Sequence, residues 1–124
     1  MGLDAIGIVS GEIPQSLAFY KLLDVHFERF KDTDHYEAKT PGGIRILMDS
    51  VATIKSFDPE FKKGSGGIGL AFLQETPEDV DILYAKIVNA GFKGKKEPWN
   101  AFWGQRYACV LDPDGNQIDL FSPL

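Results

Sequence analysis

The sequence predicts an α+β fold in which one unit, ordered strand, helix, strand, strand, strand, occurs twice along the chain. Three observations lead there. An apolar segment, Leu3 to Val9, runs into a set with helical spacing, Leu17, Ala18, Phe19, Leu22 and Leu23. A second apolar segment, Ile68 to Leu73, runs into Thr76-Pro77-Glu78-Asp79, which offers an N-cap, a proline at the first helical position and acids near the positive helix end. In each half a turn stands just ahead of a last strand, Thr40-Pro41-Gly42-Gly43 in the first and Asp112-Pro113-Asp114-Gly115-Asn116 in the second.

Taken in order, Leu3 to Val9 is the first strand, and Ile13-Pro14 opens the first helix. After Asp24, Val25 to Phe30 and His35 to Lys39 roughly alternate apolar and polar residues and read as two strands, and Ile44 to Met48 reads as the fourth. Ser50 to Gly67 is polar and broken by Asp58-Pro59 and Gly64-Ser65-Gly66-Gly67, so it reads as a connector and not as a packed element. In the second half Val80, Leu83, Ile87 and Ala90 form the buried stripe of the helix, and Gly91 is its natural C-terminal cap. A short strand around Lys93 to Glu97, then Tyr107 to Leu111 and Gln117 to Phe121, complete the repeat. Each half alone would leave one face of its sheet uncovered, so the halves are expected to pack as a single domain over residues 1–124, with module one about 1–50, a linker about 51–66 and module two about 67–124.

Composition narrows the function classes. Hydrophobic residues make up 44% and charged residues 25% of the 124, the averages of a folded soluble protein, and no apolar run approaches a membrane span. Thirteen basic against eighteen acidic residues give a net charge of −5, which argues against a nucleic-acid partner. Cys109 is the single cysteine, so disulfide and Cys-rich zinc frameworks are excluded and a reducing, cytoplasmic location is expected. Met1-Gly2-Leu3-Asp4 lacks the form of a signal peptide, and Ile6 stands where an acylation motif needs Ser or Thr. The glycine run from Gly64 to Gly69 lacks the Lys-Ser/Thr of a phosphate loop and reads as a flexible linker.

Two stretches carry a resemblance. Ser16-Leu17-Ala18-Phe19-Tyr20 followed by Leu22-Leu23, and Trp103-Gly104-Gln105-Arg106-Tyr107 with Asp112-Pro113-Asp114-Gly115-Asn116-Gln117-Ile118-Asp119-Leu120-Phe121, resemble the first helix and the C-terminal signature of the vicinal oxygen chelate superfamily. That superfamily includes glyoxalase I, bleomycin-resistance proteins and extradiol dioxygenases. The resemblance implies two βαβββ modules forming an open, cup-like β-barrel with helices outside and the ligand inside, and often a homodimer. It also implies, in metal-using members, a His on each module's first strand and a Glu on each module's last. Those slots fall here on Ala5, on Ile46 by aligning Pro41-Gly42-Gly43-Ile44 with Asp114-Gly115-Asn116-Gln117, on Gly69 or Ile68, and on Asp119. One carboxylate in four slots is not a metal site, and neither His26 nor His35 falls in a slot, so the expectation is no metal and no cofactor.

The candidate ligand-binding residues are Trp99, Phe102, Trp103, Arg106, Tyr107, Asp119, Met48 and His35. Glu97 to Tyr107 packs four aromatics and an arginine into eleven residues of turn-like composition. Its rings either plug the barrel edge or a dimer contact, or form a wall for a flat aromatic ligand with Arg106 as donor. Alternation on the last strand turns Gln117, Asp119 and Phe121 inward and Ile118 and Leu120 toward the helices, and the Ile46–Asp119 pairing brings Ile44 and Met48 inward. Ala5, Gly7 and Val9 line the floor, and the third strand can turn His35 toward the ligand. Asp119 is either a ligand-facing acid or the partner of Arg45 or Arg106, and Cys109 reads as a small buried hydrophobe. The predicted function is metal-independent binding of an aromatic or drug-like small molecule, as in bleomycin- and mitomycin-resistance members that confer antibiotic resistance by sequestration. The alternatives are a binding module for an endogenous metabolite, or a lyase, isomerase or dioxygenase, either with a metal site in another register or metal-free through Asp119 and Tyr107.

Overall fold

The computed structural model describes residues 1–64 and 67–124. The chain divides into two compact units, Met1–Gly64 and Ser65–Leu124. The linker reading of the glycine run falls partly on Ser65 and Gly66, which lie outside the described residues.

The first unit is β1 (Ala5–Ser10), α1 (Ile13–Lys21), β2 (Glu28–Arg29), β3 (His35–Lys39), β4 (Arg45–Ser50) and α2 (Val51–Lys55). Its strands form a mixed sheet in the order β1-β4-β3-β2, with β1 parallel to β4 and the other pairs antiparallel. Alternation gives this sheet two faces. Ile46 and Met48 of β4, and Ala38 opposite Ile46 on β3, are buried on one of them. Ser10 lies on that same face, and its Oγ is 2.6 Å from Ser16 Oγ of α1, which pins the helix there with Phe19 and Tyr20 fully buried. Ala5, Gly7, Val9, His35, Glu37, Arg45, Leu47 and Asp49 occupy the opposite, helix-free face.

The second unit repeats the plan with β5 (Gly69–Leu73), α3 (Pro77–Asn89), β6 (Lys93–Ala101), β7 (Gln105–Leu111) and β8 (Gln117–Pro123). The strand order is β5-β8-β7-β6, and β5 runs parallel to β8. Thr76 caps α3 by accepting the Asp79 amide at 3.2 Å, and Gly91 takes the left-handed conformation beyond its end, at φ +96°. Val80 and Ile87 of α3 are fully buried, as are Ile118 and Leu120 of β8. Ala90 of the predicted stripe is exposed, because it is the C-cap residue and no longer on the helical face.

Three elements differ from the sequence reading. The connector begins with α2, whose start is fixed by Ser50 Oγ accepting the Thr53 amide at 3.1 Å, although none of its residues is buried. β2 has shrunk to two residues. β6 runs on to Ala101, so Pro98, Trp99 and Asn100 are strand and not turn. Shifts of register between Gly94 and Lys96 and between Lys96 and Trp99 accommodate this, and the edge position lets Pro98 stand without an N–H to donate.

Candidate functional site

The helix-free face of the second sheet is built by alternation on β7 and β8. Register places Tyr107 opposite Phe121, Cys109 opposite Asp119, and Leu111 opposite Gln117. Trp99 on β6 stands opposite Tyr107, and the β6–β7 turn adds Phe102 and Trp103. Gly104 closes that turn at φ +89°, a conformation that favours glycine, with its amide bonded to the Ala101 carbonyl at 3.0 Å.

The rings form one connected cluster. Trp103 meets Tyr107 edge-on at 5.3 Å between centroids and Trp99 at 5.9 Å, while Trp99 meets Tyr107 at 5.5 Å. Tyr107 stacks on Phe121 at 6.1 Å. The Trp103 indole N–H donates to Gln105 Oε1 at 2.9 Å, so its ring plane is held. Phe102 packs edge-on against Trp103 at 5.0 Å yet is 96% exposed, and Trp103 is 48% exposed. Lys96 Nζ lies 4.2 Å from the Trp99 ring centroid.

Polar groups converge beneath these rings. The Tyr107 hydroxyl donates to Asp119 Oδ2 at 2.6 Å, and Gln117 Nε2 donates to Asp119 Oδ1 at 2.9 Å. Gln117 is itself held by Lys95 Nζ at 2.5 Å. Burial first, and then the bond to Asp119, push the Tyr107 hydroxyl far above the ordinary phenol range, so it stays a proton donor at neutral pH. Burial, reinforced by Asp119, pushes the Cys109 thiol up to about 11, so it is protonated and unreactive near pH 7.

Of the predicted site residues, the structure brings together Trp99, Phe102, Trp103, Tyr107 and Asp119. Arg106 is turned to the other face, where Nε and Nη2 form a bidentate pair with Asp81 of α3, both at 2.8 Å. The expectation that Arg106 joins the wall is therefore corrected, and the alternative in which it pairs with Asp119 is set aside with it. Met48 is likewise corrected. It is fully buried on the α1-covered face, because the turn glycine in the left-handed conformation is Gly43 (φ +91°), which corresponds to Gly115 (φ +85°). Each donates its amide three residues back, to Thr40 and Asp112, at 3.0 Å. Matching Gly43 to Gly115 makes Leu47 the counterpart of Asp119 and leaves Ile44, Ile46 and Met48 on the helix side.

His35 belongs to the helix-free face of the first sheet. Its Nδ1 is 2.7 Å from Asp49 Oδ1 and its Nε2 is 2.8 Å from Glu37 Oε2. Arg45 binds Glu37 and reaches Asp4 at 2.6 Å. This network was missed in sequence, although alternation over His35-Tyr36-Glu37 already puts an acid beside the histidine on one face. Asp81, the holder of Arg106, left no signal of its own, since nothing in its local pattern ties it to β7.

The corrected register also tests the metal slots. On the helix-free faces, β1 offers Ala5, Gly7 and Val9, and β5 offers Gly69, Ala71 and Leu73. None of these can donate to a metal, and the slots on the last strands are Leu47 and Asp119. Asp119 already accepts two hydrogen bonds, and among the described residues no group of three His, Cys, Asp or Glu side chains is gathered in a ligating arrangement. The residues present do not fit the metal centre of the metal-using members.

Two βαβββ modules, each with a helix on one face and a polar or aromatic second face, define the class of fold. The model of the Glyoxalase/Bleomycin resistance protein/Dioxygenase superfamily matches residues 2–120, and the chain belongs to that superfamily. Among solved structures, it resembles a glyoxalase/bleomycin resistance protein/dioxygenase family enzyme from Burkholderia phytofirmans PsJN at 21% identity and a TM-score of 0.84, covering 100% of both chains. It also resembles a glyoxalase-related enzyme from Fulvimarina pelagi at 18% identity and a TM-score of 0.85, covering 98% of this chain and 87% of that one. A hypothetical protein from S. aureus matches at 19% identity and a TM-score of 0.80, covering 94% and 89%. No curated protein matches the chain. Among the described residues no helix is long and apolar enough to cross a membrane.

Proposed function

We propose that this chain is a metal-independent small-molecule binding protein of the glyoxalase/bleomycin-resistance type, which sequesters an aromatic ligand on the helix-free face of its second module. The observation that carries this is the ring cluster of Trp99, Trp103, Tyr107 and Phe121 over the Tyr107–Asp119–Gln117 array. Offset and edge-on contacts to such rings gain about 0.5–1.5 kcal/mol each beyond area burial, and a few placed polar groups fix orientation. Asp119 keeps acceptor capacity beyond its two bonds, which suits a ligand bearing N–H or O–H donors. Metal independence is supported by Ala5, Leu47 and Gly69 in the ligand slots. Drug sequestration, a homodimeric assembly, a cytoplasmic location and the absence of a nucleic-acid partner belong to the same reading.

A second reading, a metal-free enzyme, is favoured by the 2.6 Å Tyr107–Asp119 hydrogen bond. There Asp119 would accept a substrate proton while the Tyr107 hydroxyl donates. One experiment addresses both readings: EDTA-treated protein is melted with divalent metals and with a panel of aromatic antibiotics and metabolites. A ligand at about 100 times its dissociation constant adds roughly 2.7 kcal/mol. Stabilisation by an aromatic compound, abolished by Trp103→Ala and unaffected by metal, is the expected result. Saturable stabilisation by a metal alone would sink the proposal, and turnover lost in Asp119→Asn would move the chain to the enzymes.

A further inference from the structure

The first module carries a cavity of its own, about 480 Å³, with Glu28, Arg29, Phe30, Glu37, Lys39 and Arg45 on its wall. Most of those charges are already committed. Arg45 is held by Glu37 and Asp4, Glu37 also by His35, and Arg29 Nε by the Thr33 carbonyl at 2.7 Å. Two are not, since among the described residues neither the Lys39 ammonium nor the Glu28 carboxylate is in an ion pair. Register places Lys39 directly opposite Arg45 and Glu28 directly opposite Glu37. The charges opposite them, Arg45 and Glu37, are already answered by Asp4, by His35 and by each other, so Lys39 and Glu28 are the two charges of this wall left for a ligand.

We propose that this cavity binds a dipeptide-class zwitterion, with the ligand's ammonium at Glu28, its carboxylate at Lys39 and an apolar side chain on Phe30. The two uncommitted charges are of opposite sign, so a ligand with a single charge answers one of them and leaves the other. Glu28 is diagonal to Lys39, because Glu28 faces Glu37 and Lys39 is two residues further along β3. Diagonal neighbours are about 7–8 Å apart, and two extended residues span about 7 Å. A direct Lys39–Glu28 pair in this exposed setting would gain only about 0.2–1 kcal/mol, too little to exclude a ligand. Phe30 lies two residues from Glu28 on the same side and is 53% exposed, so an aromatic surface waits beside the ammonium position. The cavity volume falls in the range of small-ligand sites.

The test is calorimetric titration of the full chain with phenylalanyl-glycine, whose side chain is on the ammonium-bearing residue, beside its N-acetyl and C-amide forms, which keep the shape and each lack one charge. The dipeptide is expected to bind up to about five-fold tighter than either blocked form, the factor that one exposed ion pair supplies. Lys39→Met and Glu28→Gln should each reduce its affinity to that of a blocked form, and Glu28→Asp should restore part of it. Both positions are exposed, so unchanged melting of the variants shows that they remain folded. Trp103→Ala should leave dipeptide binding intact, which separates this site from the aromatic face of the second module. Blocked forms that bind as well as the dipeptide, affinity retained in both charge variants, or no heat up to about 10 mM would each overturn the proposal.

Discussion

The helix-free faces of the two sheets correspond position by position and differ in chemistry at nearly every one. His35 opposite Asp49 corresponds to Tyr107 opposite Phe121, Glu37 opposite Leu47 to Cys109 opposite Asp119, and Lys39 opposite Arg45 to Leu111 opposite Gln117. Where the first module places an imidazole between two carboxylates, the second places a phenol between an aromatic ring and a carboxylate. The helix-covered faces did not diverge this way. Ile46 and Met48 correspond to Ile118 and Leu120, and all four are buried. Burial under a helix constrains one face of each sheet through packing, while the other face is free to diverge in chemistry. A repeat visible in the sequence therefore says much about fold and little about shared function.

The largest effect should come from testing that division directly. Ile46→Asn puts an unpartnered amide into the α1-covered face and removes apolar burial, and should cost at least about 3 kcal/mol in urea unfolding. Leu47→Asn changes the helix-free face one residue away and should stay within about 1 kcal/mol. If the two costs were reversed, Ile46 would be the counterpart of Asp119 after all and the assignment of faces would be wrong.

Next in size is Tyr107→Phe, which removes the donor to Asp119 without altering the ring cluster. A lost hydrogen bond to a half-buried carboxylate should cost about 1–2 kcal/mol. Aromatic-ligand affinity should change less in Tyr107→Phe than in Trp103→Ala, because the rings supply the contact area. An equal loss in both would show that the carboxylate array, and not the aromatic surface, dominates binding.

A smaller effect separates structure from recognition within the second module. Arg106→Ala breaks the bidentate pair with Asp81, which holds β7 to α3. Both partners are partly exposed, so the loss should be about 0.5–1 kcal/mol. Ligand binding should be unchanged, since Arg106 points away from the rings. A large loss of affinity with intact stability would return Arg106 to the binding wall.

Most of the element order was legible because it rests on local signals: helical spacing in α1, the Thr76-Pro77 start of α3, and a glycine turn before β4 and β8. The faces were legible only where an anchor fixed the register. On β8, Asp119 fell on its true side because the Asp112 to Asn116 turn is unambiguous: Asp112 Oδ1 accepts the amides of Asp114 and Asn116 at 2.9 and 2.8 Å. On β4 two adjacent glycines offered two registers. The choice of Gly42 over Gly43 moved every β4 side chain to the wrong face, since the side-chain period is two. Arg106 was misplaced for a different reason. The sequence reading starts the strand at Tyr107, with Arg106 in the turn, whereas β7 starts at Gln105, so alternation turns Arg106 away from Tyr107 and toward Asp81.

The smallest effect tests the ionic face of the first module against the second. Both ring nitrogens of His35 sit at hydrogen-bonding distance from carboxylate oxygens, so the imidazole carries two protons, and its pKa is raised, first by Glu37 and then by Asp49. A raised folded value means that the stabilisation is fully present below the unfolded value, about 6.5, and is lost as pH rises through the folded one. The Glu37 carboxyl is lowered, first by His35 and then by Arg45, so its share is present above its unfolded value, about 4.3, and is lost as pH falls through the folded one. The two conditions overlap between roughly pH 4.3 and 6.5, where His35→Gln should lower Tm by about 3 °C or less. Above the raised His35 value the variant and the parent should converge. The Tyr107–Asp119 pair has its phenol pushed far upward, so Tyr107→Phe should show no such convergence at alkaline pH below the phenol's own titration. A His35→Gln deficit that stayed constant from acid to alkaline pH would mean that the imidazole contributes packing alone, and the first module's face would lose its ionic character in the comparison.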